Sequence, residues 1–116
     1  MTIIQEEDRK IIHDYIICNL TIRILQREIK DAETLNVKIK RVYVSANRYQ
    51  ECQALKQLKE LRKKMNERGL RIIGEHRVGR DIIEFRFLCR GVPSHICLQE
   101  KDLSKFIEEK QLELLR

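Results

Sequence analysis

The feature that most restricts what this chain can become lies near its start. Ile11, Tyr15, Cys18, Ile22, Leu25, Ile29 and Ala32 recur at steps of four and three, and Ile12, Ile16, Leu20 and Ile24 form an adjoining ridge. That spacing predicts one long amphipathic helix from about Gln5 to Thr34. At 1.5 Å per residue it would be roughly 45 Å long, whereas a compact domain of this size is roughly 35 Å across. Part of the apolar face therefore needs another partner, and a homo-oligomer touching through Ile11, Tyr15, Ile22 and Leu25 is expected. The alternative is a break near Asn19 to Thr21, where two N-cap residue types flank Leu20 and would turn one helix into two.

Size and composition set the frame around that helix. A chain of 116 residues is expected to be a single domain, with 1–36 helical and 37–116 an α+β core, and to bury enough surface without disulfides or metal. Charged residues make up 36% and carry both signs, so disorder through low hydrophobicity is not expected. No run of about 18 apolar residues occurs, and the start MTIIQEEDRK has neither the basic region nor the apolar stretch of a signal peptide. A soluble, cytoplasmic protein without membrane contact is the expectation. Cys18, Cys52, Cys89 and Cys97 are widely spaced within apolar patterns, as reduced core thiols are.

Further along, Val37 to Val44 (VKIKRVYV) is rich in β-branched residues and follows Asn36, a plausible helix stop, so it reads as a strand. Asn47 then offers an N-cap with Gln50 three residues on, and Gly69 a C′ residue, predicting a helix to Arg68. Its core face would be Ala54, Leu58, Leu61 and Met65, with Cys52 and Leu55 alongside. Leu70 to Arg90 reads as a β-hairpin turning at Gly79 and Arg80 in a type II′ turn. If Val78 pairs with Asp81, Ile72 faces Phe87, Gly74 faces Phe85, His76 faces Ile83 and Glu75 faces Glu84, which buries both phenylalanines and exposes Arg86. Pro93 marks a turn, His95 to Leu98 a short strand, and Leu103, Phe106, Ile107, Leu114 and Leu115 a closing helix from about Glu100.

The order is helix, strand, helix, hairpin, helix: an α+β fold with a small, mostly antiparallel sheet covered by helices. A winged helix is the competing architecture, with Tyr49 to Arg68 as recognition helix and the hairpin as wing. The stretch Val42 to Asn47 with Phe85 and Phe87 resembles, over those few residues, the aromatic strands of RNA-recognition motifs. Exposing both rings for stacking would bury Glu84, Arg86 and Arg90, so the phenylalanines are assigned to the core.

Charge carries the functional expectation. Val37 to Gly91 holds fifteen Lys and Arg against six Asp and Glu, 15 − 6 = +9, between ends of −2 and −1 that bring the chain to +6. Lys56, Lys59, Lys63 and Lys64 on one helix, with Arg77, Arg80 and Arg86 on the hairpin, are candidate contacts to a nucleic-acid phosphate backbone in a regulatory or accessory role. The alternative is a protein-interaction module dimerising through the first helix. Cys89, His95 and Cys97 are metal-ligand types, but without Cys-x-x-Cys or His-x-x-x-His spacing no metal or cofactor is expected. His13 and His76 read as structural, and no catalytic motif argues for an enzyme.

Overall fold

The computed structural model describes residues 4–34 and 37–116, and in the second segment side chains from residue 40 onward. The order is α1 (Glu6–Ala32), α2 (Val37–Glu67), β1 (Leu70–Arg77), β2 (Ile82–Cys89), β3 (Val92–Gln99) and α3 (Glu100–Leu114). The three strands form one antiparallel sheet in the order β1-β2-β3. The class is α+β, with helices covering one face of the sheet.

α1 is a single uninterrupted helix, as its periodicity requires. Thr21, at the suspected break, is buried, and its hydroxyl donates to the Ile17 carbonyl one turn back at 2.7 Å. The polar group is thus satisfied inside the helix, and no N-cap forms.

The main departure from expectation is Val37 to Val44, which is the first part of α2 and not a strand. The core-facing positions of α2 continue backward from Met65, Leu58 and Ala54 through Gln50 and Asn47, all buried, to half-buried Val44. Those steps of three and four are helical, and pairing along α1 overrides the β-propensity of the valines. Asn47 is therefore mid-helix, where its amide donates to Glu28 on α1 at 3.4 Å, and is no N-cap. Asn36, read as a helix stop, lies outside the described residues.

The lengthened α2 also removes the premise for the oligomer contact. Ile11, Ile22 and Leu25 are buried within the chain, and half-buried Tyr15 packs against both core clusters. The molecule measures 58 × 33 × 20 Å, an elongated shape in which a second long helix accompanies the first. The winged-helix alternative, which needs two short helices in place of α1, does not match this arrangement.

Two apolar clusters divide the core. One joins Ile12 and Ile16 of α1 to Phe85, Phe87 and Cys89 of β2 and Leu103 of α3; the other joins Cys18, Ile22 and Leu25 to Ala54, Leu58 and Leu114. α3 therefore runs from the sheet to the helical hairpin and closes both.

In the sheet, Ile72 pairs with Phe87 as the side-chain pattern requires, and the register then shifts at a bulge between Ile72 and Gly74. Beyond it Gly74 pairs with Arg86, Glu75 with Phe85, His76 with Glu84 and Arg77 with Ile83. Phe85 consequently does not cover Gly74. The His76 ring does, its Nε2 lying 3.0 Å from where a β-carbon would stand. Nor does Glu75 face Glu84: the two pair with Arg23 and Arg86 respectively. The loop 78–81 is wider than the expected two-residue turn, with the Val78 amide donating to the Ile82 carbonyl at 3.1 Å. The tight turn is instead Arg90–Gly91, with φ of 50° and 85°, the positive pair of a type I′ hairpin. Pro93 is not in a turn but in β3, an edge strand that tolerates its missing donor.

One polar contact fastens these parts together. Asp8, the third residue of α1, is fully buried. Its carboxylate accepts from the Gln5 amide at 2.9 Å, Arg68 Nε at 2.7 Å and Arg90 Nη2 at 3.0 Å, and from the Cys89 thiol at 3.6 Å. Burial alone would raise its pKa, but the Arg90 hydrogen bond, the Gln5 amide and Arg68 outweigh that and hold it well below the usual carboxylate range.

Two outcomes follow for stability. Phe87→Ala should cost about 3 to 5 kcal/mol in denaturant unfolding, and Arg86→Ala well under about 1. Asp8→Asn should cost about 3 kcal/mol near pH 7, the low end for a broken buried pair because both arginines still reach water. Because the folded pKa of Asp8 lies below its unfolded value of about 3.9, its contribution is complete above that pH and fades as pH falls toward the folded pKa. Urea titrations of both proteins at pH 7 and pH 2.5 should show the gap narrowing.

Candidate functional site

The basic middle of the sequence resolves into one helix. α2 carries nine Lys and Arg against three Glu, 9 − 3 = +6, which equals the formal charge of the whole chain. At 3.6 residues per turn, Arg41, Arg48, Lys56, Lys59 and Lys63 fall within an arc of about 80°. That arc lies opposite the Ala54 and Leu58 core line, and all five are exposed. Along the axis they span roughly 33 Å at 1.5 Å per residue. Exposed Tyr49 and Leu55 flank the row.

No described carboxylate neutralises these cations. Among the described residues, none of Lys40, Arg41, Arg48, Lys56, Lys59, Arg62, Lys63 and Lys64 forms an ion pair. Lys64 turns away from the row with Lys56 at its border, both lining a groove with Asp14, Glu60, Lys110 and Glu113. At the far end, Arg62 and Arg71 line one cleft of about 230 Å³ with Tyr15 and Met65.

The hairpin arginines stand apart from that row. Arg77 pairs with Glu100 and donates to the Arg80 carbonyl, and Arg86 pairs with Glu84 at 2.6 Å. Arg80 sits at the loop, in a cleft with Asp81 and Lys101 at the start of α3. Lys110, ten residues on from Glu100, donates to Gln57 of α2 at 3.1 Å. The hairpin tip and the α2 lysines thus meet opposite ends of α3, roughly 15 Å apart along its axis.

A second polar region lies on the sheet face away from the helices. Cys89 points inward to Asp8, but His95 and Cys97 share the open face. They lie beside Glu84, whose carboxylate is held ionised chiefly by the Arg86 hydrogen bond, against the opposing effect of burial. Sequence reasoning missed this grouping because it set Cys89 with His95 and Cys97, whereas the strand period of two separates them. His13, by contrast, is structural: its ring meets Phe106 edge-on at 4.9 Å.

A third feature is a groove of about 440 Å³ between α2 and the end of α3, lined by Tyr43, Asn47, Gln50, Leu112 and Leu115. Gln50 Oε1 is buried there without a hydrogen-bond partner among the described residues. No described helix is long and apolar enough to cross a membrane.

A family model described as YhjD protein matches residues 3–116. No curated protein and no solved structure matches the chain.

Proposed function

The chain belongs to the YhjD family, and we propose that it binds nucleic acid through the phosphate backbone along the outer face of α2, in a cytoplasmic accessory or regulatory role. The observation that carries this reading is the row Arg41, Arg48, Lys56, Lys59 and Lys63, exposed and free of ion pairs with any described residue. Solvated cations on a helix repel one another, and a polyanion relieves that repulsion while releasing its own condensed counterions. A straight row of roughly 33 Å is close to the roughly 34–36 Å of one duplex turn. Contacts of this kind position a protein without reading sequence.

The reading narrows the candidate set. Arg77 and Arg86 already hold carboxylates, and Arg80 lies with Arg77 at the other end of α3, so the hairpin contributes little. The interaction-module reading loses its basis in α1, whose apolar face is covered by the chain's own α2 and sheet.

Fluorescence anisotropy against salt tests this. Five phosphate contacts should give log affinity against log salt a slope of about −4.5 on duplex DNA. Lys59→Ala with Lys63→Ala should flatten it by about two, while the protein stays folded. Arg77→Ala with Arg80→Ala should leave the slope unchanged. A folded Lys59/Lys63 variant with the original slope would move the contact off α2, and absence of salt-sensitive binding to either DNA or RNA would favour the interaction module.

A further inference from the structure

The open face of the sheet gathers three different metal-ligand types. Glu84 on β2 pairs with Cys97 on β3, and Arg86 pairs with His95, so His95 and Cys97 stand two residues apart on the same face as Glu84. One carboxylate oxygen of Glu84, one imidazole nitrogen of His95 and the thiol sulfur of Cys97 all lie within 4.8 Å of one another. Three ligands around a tetrahedral zinc, at bond lengths of about 2.0–2.3 Å, would stand roughly 3.5 Å apart. His95 and Cys97 are exposed and Glu84 is half-buried, so the remaining approach is assigned to side-chain rotation.

We propose that Glu84, His95 and Cys97 bind a single zinc ion on the open face of the sheet, with water in the fourth position. The chemistry of the set argues for this metal. A thiolate and an imidazole are poor ligands for magnesium or calcium and good ones for zinc. Zinc displaces the Cys97 proton, so the thiolate and the Glu84 carboxylate together balance its two positive charges. Arg86 occupies Glu84 Oε1 at 2.6 Å, and the metal takes the other oxygen. That arginine fixes the carboxylate from outside the coordination sphere, as hydrogen-bonded partners of metal-bound carboxylates do. His76 pairs with Glu84 across β1, but its ring leans over Gly74, so the fourth position is assigned to water. The site is separate from the α2 row and does not depend on nucleic-acid binding.

Cobalt(II) substitution reads the site directly. The untagged, reduced protein titrated with cobalt should develop a thiolate-to-cobalt charge-transfer band and tetrahedral d–d bands, saturating at one ion per chain and abolished by one equivalent of zinc. Cys97→Ser should remove the charge-transfer band, and Cys52→Ser, which alters the other exposed thiol, should leave the spectrum unchanged. Glu84→Gln and His95→Ala should each weaken zinc by more than about 100-fold, the upper end of what an outer-shell partner contributes. A missing band, a band that survives in Cys97→Ser, half an ion per chain, or unchanged affinity in both Glu84→Gln and His95→Ala would each overturn the proposal. Circular dichroism of each variant confirms that the fold is kept, so that a loss of metal reports the ligand.

Discussion

A carboxylate with no access to water holds the two halves of this molecule in register. Asp8 sits at the third position of α1, where the helix dipole favours a negative charge, and receives guanidinium groups from Arg68, just past α2, and Arg90, in the β2–β3 turn. The neighbouring backbone is shaped to deliver them. Gly69 has φ of +67°, and a β-carbon there would lie 2.9 Å from Arg90 Cγ. The Arg90 amide donates to the Gly69 carbonyl at 2.8 Å, and its guanidinium also donates to the Arg68 carbonyl at 2.8 Å. Arg90 itself adopts the left-handed conformation that few non-glycine residues take, held there by these bonds.

Much of this architecture was legible. α1, the β1–β2 pair, the burial of Phe85 and Phe87 and the closing helix follow from periodicity, because in each the apolar spacing and the eventual packing agree. VKIKRVYV misled because two of the residues that continue the core line of α2, Asn47 and Gln50, are polar and resemble a helix start. Only the partner helix, in contact with Asn47 through Glu28, shows why a polar residue sits on a buried face. The bulge near Ile73 was equally hidden, since a shifted register leaves the alternation on β2 intact. Asp8 could not be recognised from the sequence because its partners are 60 and 82 residues away.

The candidate sites divide along the same line. The lysines of α2 were found because exposure on a helix is local information, while the separation of Arg77 and Arg86 from them depends on how α3 spans the fold. Glu84, His95 and Cys97 come together only through the β2–β3 register. A compositional excess of charge thus pointed to the helix that carries the exposed cations but not to the extent of its face. The three ligand-type residues could be grouped only once the strands were paired.

The connectivity has a kinetic consequence. α1 with α2, and β1 with β2 and β3, are each built from elements adjacent along the chain, so each unit can zip outward from the connections between its elements, beginning with contacts close in sequence. Such contacts carry a small loop-closure cost and form quickly. Docking the helical hairpin onto the meander is the step that brings distant residues together, and Asp8 lies at that seam. The seam is therefore where the chain is expected to open first when it unfolds in parts, with the hairpin and the meander as the two cooperative units.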